Sequence, residues 1–163
     1  MQTYDFTRRE TAAVKPGNRI LVVEDDPNLA EVMNLHLSAQ RLAVTVVDDG
    51  LDALQVFDSD PPALVTLDLN ISTISGFRLI NLFKRFRPHV PILVVTAMDF
   101  AEVEEVARAG VDDFITKPFD PDVLIRKVRY HLQRGHQSET QTVSEPAERE
   151  SRGVTWGRVA LTV

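Results

Sequence analysis

Residues 20–27 read Ile20-Leu21-Val22-Val23-Glu24-Asp25-Asp26-Pro27: four apolar residues, three carboxylates in a row, then a proline. An apolar run with no polar alternation suits a strand buried on both faces, as in a parallel sheet. The carboxylates end that strand abruptly. Asp26-Pro27 then has the chemistry of a helix N-cap followed by proline at the first helical position. Beyond it, Leu29, Val32, Met33, His36 and Leu37 fall at i, i+3, i+4, i+7 and i+8, one face of a helix. A buried strand, an acidic strand end and an amphipathic helix form the opening unit of an α/β domain.

The same unit recurs downstream. Short apolar runs at 42–47, 63–67, 92–95 and 114–116 supply further strands, and segments at about 50–58, 75–86, 100–109 and 120–134 carry helical spacing. Gly110 stands where a helix C-cap is expected. Five strands alternating with five helices predict a doubly wound domain around a five-stranded parallel sheet, spanning residues 19–134. Residues 1–18 are polar, end in Lys15-Pro16-Gly17-Asn18, and read as a flexible arm. From residue 135 the chain turns polar and reads as a linker, and residues 153–163 regain strand character.

Composition narrows the function. The chain has 163 residues, 44% of them hydrophobic and 26% charged, enough for one full domain with tails. No cysteine is present, which excludes disulfides and thiolate metal sites and fits a reducing cytoplasm, the location we expect. No apolar run reaches the roughly 18 residues of a membrane span. A net charge of −6 without a basic cluster argues against direct nucleic-acid binding and for protein partners.

In doubly wound sheets, ligands sit beyond the carboxyl ends of the strands. Here the first strand ends in Glu24, Asp25 and Asp26, the third in Asp68 and the fourth in Thr96, and Lys117 follows the fifth. Clustered carboxylates repel, and burying them unpaired costs several kcal/mol each. Mg²⁺, a hard cation held by one or two carboxylates plus waters and phosphate oxygens, resolves that conflict. A carboxylate beside Mg²⁺ and an ammonium is suited to attack phosphorus and form an aspartyl phosphate. Asp26 is assigned to helix capping rather than to metal.

The stretches 20–27, Leu64-Val-Thr-Leu-Asp-Leu-Asn70, Gly76, Val94-Val-Thr-Ala97 and Gly110-Val-Asp-Asp-Phe-Ile-Thr-Lys-Pro-Phe119 occur in that order. Together they resemble the receiver domain of two-component response regulators. The resemblance implies that Asp68 is the phosphoacceptor. It implies Mg²⁺ bound by Asp25, by Asp68 and by the main-chain carbonyl of Asn70, with Glu24 acting through water. Thr96 would hydrogen-bond the phosphoryl group, Lys117 would pair with it, and Phe114 would be the aromatic switch that moves with Thr96. The Lys117-Pro118 bond is expected to be cis, as in similar proteins. Two positions depart from the family's habit: Ser72 replaces a frequent proline and Ser75 a frequent acidic residue. Neither is an expected ligand.

The expected donor is a sensor histidine kinase or a histidine phosphotransfer protein. The chain's own His36, His89, His131 and His136 form no ligand pattern and none reads as a phosphodonor. The domain is expected to be a signalling switch with at most slow self-dephosphorylation, not a conventional enzyme. The tail resembles the opening strand of the effector domain in the OmpR/PhoB class, which leaves open a shortened transcriptional regulator or a stand-alone relay protein. In that class receivers pair through the face spanned here by residues 100–134. One salt bridge of that face maps to Asp113 and Lys127, and another maps to Val103 and Val123, both apolar. A homodimer on this face is expected. Three other readings fit these residues less well. A phosphatase with an aspartyl intermediate needs Asp-x-Asp, but the second position is Asn70. A flavin module needs a Ser/Thr/Gly-rich loop after the first strand, where this chain is acidic. A phosphorylation-independent interaction module would not need the intact acidic set.

Overall fold

The computed structural model describes residues 18–97 and 106–141, the last seven as backbone. Five parallel strands form one sheet: β1 (Arg19–Val23), β2 (Ala43–Val47), β3 (Leu64–Leu67), β4 (Ile92–Thr96) and β5 (Asp113–Thr116). Their order across the sheet is β2-β1-β3-β4-β5. Side-chain burial follows this order. Every residue of β3 and β4 is buried, as are four of the five in β1, whereas β2 and β5 at the edges are partly exposed. Runs without polar alternation thus occupy the centre, where both faces are covered.

Helices α1 (Pro27–Ala39), α2 (Gly50–Ser59) and α3 (Gly76–Phe86) follow the first three strands. Residues 106–108 are helical and are the described part of α4; the rest of that expected helix lies outside the described residues. The last helix, α5, runs Pro121–Gln141. The segment 135–141, read from its polar composition as the start of a linker, is therefore helical. A helix propagates more easily than it nucleates, so turns already packed on the sheet carry it into residues with no apolar face.

The sheet separates two cores. Leu21, Val23, Val65, Leu67, Ile92 and Val94 meet α2 and α3 through Phe57, Leu79, Ile80 and Phe83. Ile20, Val22, Leu64, Leu93 and Val95 meet α1 and α5 through Met33, Leu37, Leu124 and Val128. Alternate strand residues feed opposite cores, as period-2 geometry requires. Local signals set the helix starts. Asp26 accepts hydrogen bonds from the Asn28 and Leu29 amides at 2.9 and 3.3 Å, the capping role expected of it. Asp49 caps α2 through the Leu51 and Asp52 amides, and Ser75 caps α3 through the Arg78 amide. Gly110 adopts φ +82°, the left-handed conformation of a helix-ending glycine.

Candidate functional site

The strand ends converge as the crossovers dictate. In β1 and β3, Val23 lies in register with Leu67, so Glu24 and Asp68, each one residue further on, are neighbours. Thr96 closes β4 in register with Thr116 of β5, and the Lys117 amide donates to the Thr96 carbonyl at 2.9 Å. The Lys117-Pro118 bond is cis, as expected.

The Lys117 ammonium donates to Asp68 Oδ2 at 2.6 Å and to Glu24 Oε1 at 2.8 Å. Glu24 and Asp68 are both buried, while Asp25 is exposed at the rim. Asp68 Oδ1 also accepts from the Asn70 amide at 3.0 Å, which fixes the carboxylate plane. Glu24 Oε1 takes a second, longer bond from the Asp26 amide at 3.3 Å. Its Oε2 lies 2.7 Å from the ammonium but is buried without an aligned hydrogen bond.

Burial, the largest influence, pushes the Glu24 carboxyl above its ordinary value, and Lys117 offsets this only in part. Burial by itself would lower the Lys117 ammonium. Its hydrogen bonds, to Asp68 first and Glu24 second, outweigh that and hold it above its ordinary value. The two directions fit one picture: Lys117 is chiefly the partner of Asp68, and Glu24 is left under-neutralised.

One carboxylate oxygen from each of Glu24, Asp25 and Asp68 lies within 4.8 Å of the other two. Three carboxylates against the one ammonium paired here leave two uncompensated negative charges, the charge of one divalent cation. Together with the all-oxygen donor set, this fits a hard cation such as Mg²⁺.

The other expected residues are placed as follows. Thr96 is buried at the end of β4, on the strand next to Asp68. Phe114 lies on β5 in register with Val94, two residues before Thr96, and is 39% exposed, an outward ring. Of the residues expected on a dimer face, Val103 lies outside the described residues. Asp113 and Lys127 pair within the chain at 2.5 Å, and Val123 packs against the core.

Two contacts were not anticipated from sequence. His131, buried on α5, places Nε2 3.2 Å from Asp113 Oδ2, so that carboxylate has two partners on one helix. Its spacing of four residues from Lys127 was the available signal. Between the loops, the Thr73 hydroxyl donates to Asp49 Oδ2 at 2.6 Å. That bond, with the Leu51 amide, holds the Asp49 carboxyl below its ordinary range.

The class defined by this fold and site is a doubly wound α/β domain with a lysine-bridged acidic cluster at the carboxyl edge of its parallel sheet. Residues 20–129 match the family described as Response regulator receiver domain, and the chain belongs to that family. It is 37% identical over 136 residues to the DNA-binding response regulator MtrA of Mycolicibacterium smegmatis, covering 83% of this chain and 56% of the relative. It is 36% identical over 146 residues to the alkaline phosphatase synthesis transcriptional regulatory protein SphR of Synechococcus elongatus, covering 83% and 55%. The response regulator DrrB, a Thermotoga maritima OmpR/PhoB homologue, superposes with a TM-score of 0.66 at 32% identity, covering 71% of this chain and 52% of that one. The chain thus spans about half the length of these relatives. Its receiver domain belongs to two-component signalling and is a signalling domain rather than a conventional enzyme; receiver domains of response regulators interact with histidine kinases. Among the described residues, no helix is long and apolar enough to cross a membrane.

Proposed function

We propose that this domain accepts a phosphoryl group on Asp68 from a phosphohistidine of a sensor kinase or phosphotransfer protein. The observation that carries this reading is the Lys117 ammonium joined to both Asp68 and Glu24 at the carboxyl edge of the sheet. In transfer, an Asp68 carboxylate oxygen forms the new bond to phosphorus as the phosphorus–nitrogen bond to the donor imidazole breaks. The Asn70 amide holds the other carboxylate oxygen and so limits rotation of the nucleophile. Lys117 stays charged and neutralises part of the negative charge that arrives.

Asp25, Asp68 and the Asn70 carbonyl would hold Mg²⁺, with Glu24 reaching it through water. When bound, the ion supplies Lewis-acid neutralisation of phosphoryl oxygens. Thr96 would hydrogen-bond the phosphoryl group, and the outward ring of Phe114 would turn inward as Thr96 moves. Hydrolysis of the acyl phosphate by the same groups would be slow. We place this chemistry in the cytoplasm.

MtrA and SphR are a DNA-binding and a transcriptional regulator, respectively. For the segment described here we propose protein partners only, because the net charge is −6 and the functional edge is acidic. The divisions at 1–18, 19–134 and 135–163 are proposed units, with α5 running across the second boundary to Gln141, and a homodimer on the 100–134 face is proposed with them. Since Asp113 is already engaged by Lys127 and His131 of its own chain, such a dimer would depend on apolar contacts. Sedimentation with and without beryllofluoride tests it: a monomer in both conditions excludes the dimer.

Incubation with acetyl phosphate or phosphoramidate, with and without Mg²⁺, tests acceptance. Intact mass should show a Mg²⁺-dependent phosphoryl adduct in the wild type and none in Asp68→Asn. A wild type that gains no adduct overturns the reading.

A further inference from the structure

The segment after Asp68 is seized from a direction that its own sequence does not reveal. Residues 69–75 leave the end of β3, carry Asn70, and turn into α3. Midway, Thr73 adopts φ +67°, a left-handed conformation that a β-branched residue rarely takes. Its hydroxyl lies 2.6 Å from both Asp49 Oδ2 and the Ser72 carbonyl. One proton cannot serve both acceptors fully, and the ionised carboxylate is the stronger.

Asp49 is itself immobilised. Its Oδ1 caps α2 through the Leu51 and Asp52 amides, which leaves Oδ2 aimed at the neighbouring loop. The two loops also touch through their backbones. Asp49 and Ser72 form an isolated parallel bridge, and a Cβ on Gly50 would stand 2.9 Å from Ile74 Cβ. Two contacts independent of the hydroxyl therefore hold the loops together, and the hydroxyl–carboxylate bond fixes Thr73, whose backbone is strained.

We propose that Asp49 and Thr73 form a latch that positions the Asn70 segment, so that both residues act as positioning residues for the cation and the phosphoryl group at Asp68. This rests on the phosphoacceptor reading above.

The test uses the full chain with Thr73→Val, which keeps the shape and loses the hydroxyl, and Thr73→Ser, which keeps the hydroxyl. Thr73→Gly relieves the φ strain and loses the hydroxyl, so it separates positioning from folding. Mg²⁺ affinity is read by calorimetry, amide exchange of residues 69–75 without metal by mass spectrometry, and adduct lifetime after phosphoramidate by intact mass. Thr73→Val and Thr73→Gly should each weaken Mg²⁺ binding about tenfold, the lower end for groups that orient metal ligands. Both should also exchange faster at 69–75, although Thr73→Gly melts no lower than Thr73→Val. Thr73→Ser should bind Mg²⁺ with wild-type affinity. If Thr73→Gly binds Mg²⁺ as the wild type does and keeps its adduct equally long, the latch is overturned while acceptance on Asp68 stands. If the wild type itself neither binds Mg²⁺ nor gains an adduct, the phosphoacceptor reading fails and this inference fails with it.

Discussion

Lys117 and Asp68 stand 49 residues apart in sequence, yet the ammonium of one is 2.6 Å from the carboxylate of the other. The contact crosses from the edge strand of the sheet to its centre, and it joins two side chains that are both mostly shielded from solvent.

Removing the ammonium should therefore be costly in the absence of metal. Lys117→Met keeps the aliphatic stem and leaves Glu24 and Asp68 buried without their counter-charge. Breaking a buried pair in this way typically costs about 3–5 kcal/mol. Lys117 is partly exposed, so the low end, about 3 kcal/mol, is expected in urea unfolding at pH 7. Millimolar Mg²⁺ should restore part of it. A variant as stable as wild type without metal would show that the acidic cluster is not held by this lysine.

Gly76 begins α3 where nothing larger fits. A Cβ there would stand 2.6 Å from Leu69 Cα and 3.1 Å from the Asp68 carbonyl oxygen. Both obstacles are backbone, so the segment following the phosphoacceptor must move. Gly76→Ala should lose about 1–3 kcal/mol, measured by chemical denaturation, and should lower the yield of phosphoryl adduct. Unchanged stability would mean that the start of α3 shifts freely.

Thr66 is fully buried in β3, and among the described residues its hydroxyl has no hydrogen-bond partner. Replacing an unsatisfied buried hydroxyl with a methyl removes a desolvation cost at nearly constant shape. Thr66→Val should stabilise the domain by about 1 kcal/mol, seen as a higher denaturation midpoint with an unchanged slope. A loss of stability would reveal a bond the hydroxyl makes in solution.

Asp113 provides a pH test away from the acidic cluster. Burial tends to raise its carboxyl, but hydrogen bonds from Lys127, from the Phe114 amide and from His131 together lower it below the ordinary 3.8. A carboxyl depressed in the folded state adds stability above its unfolded value. That contribution disappears as pH falls through the folded value. Asp113→Asn should be less stable than wild type at pH 5–7, and the gap should close below about pH 3.8. A gap that persists unchanged at pH 2.5 would show that the loss is one of packing.

Much of the fold could be read from short-range pattern. The unbroken apolar runs that became β1, β3 and β4 carry their burial in their composition, and Asp26 and Gly110 announce helix ends by residue type alone. The site was legible for a related reason. In a parallel sheet the ends of successive strands must share an edge, so Glu24, Asp68 and Lys117 were brought together by connectivity. Contacts between loops obey no such rule. The left-handed Thr73 is imposed by its neighbours, against the preference of a β-branched residue; Asn70, Ser72, Ser75 and Gly76 around it signal a loop but not which residue turns left-handed. For Asp113 it was the contact within the chain that went unread. Its pairing with Lys127 was expected across a dimer, but helical phase places Lys127 and His131 one turn apart over the same carboxylate in the same chain. The run of α5 through residues 135–141 was hidden because polar residues allow a linker and a helix equally.

The strand order has a mechanical consequence. Two interstrand spacings, about 9–10 Å, separate β5 from β3, and Lys117 spans that gap from the rim. The outermost strand is thus moored to the middle of the sheet by one ammonium. Its hold depends on how much negative charge it finds at the mooring point. Under the phosphorylation of Asp68 proposed above, the change of charge at the centre would bear through Lys117 on the strand that carries Phe114 and Asp113, where a second protein could sense it without entering the acidic pocket.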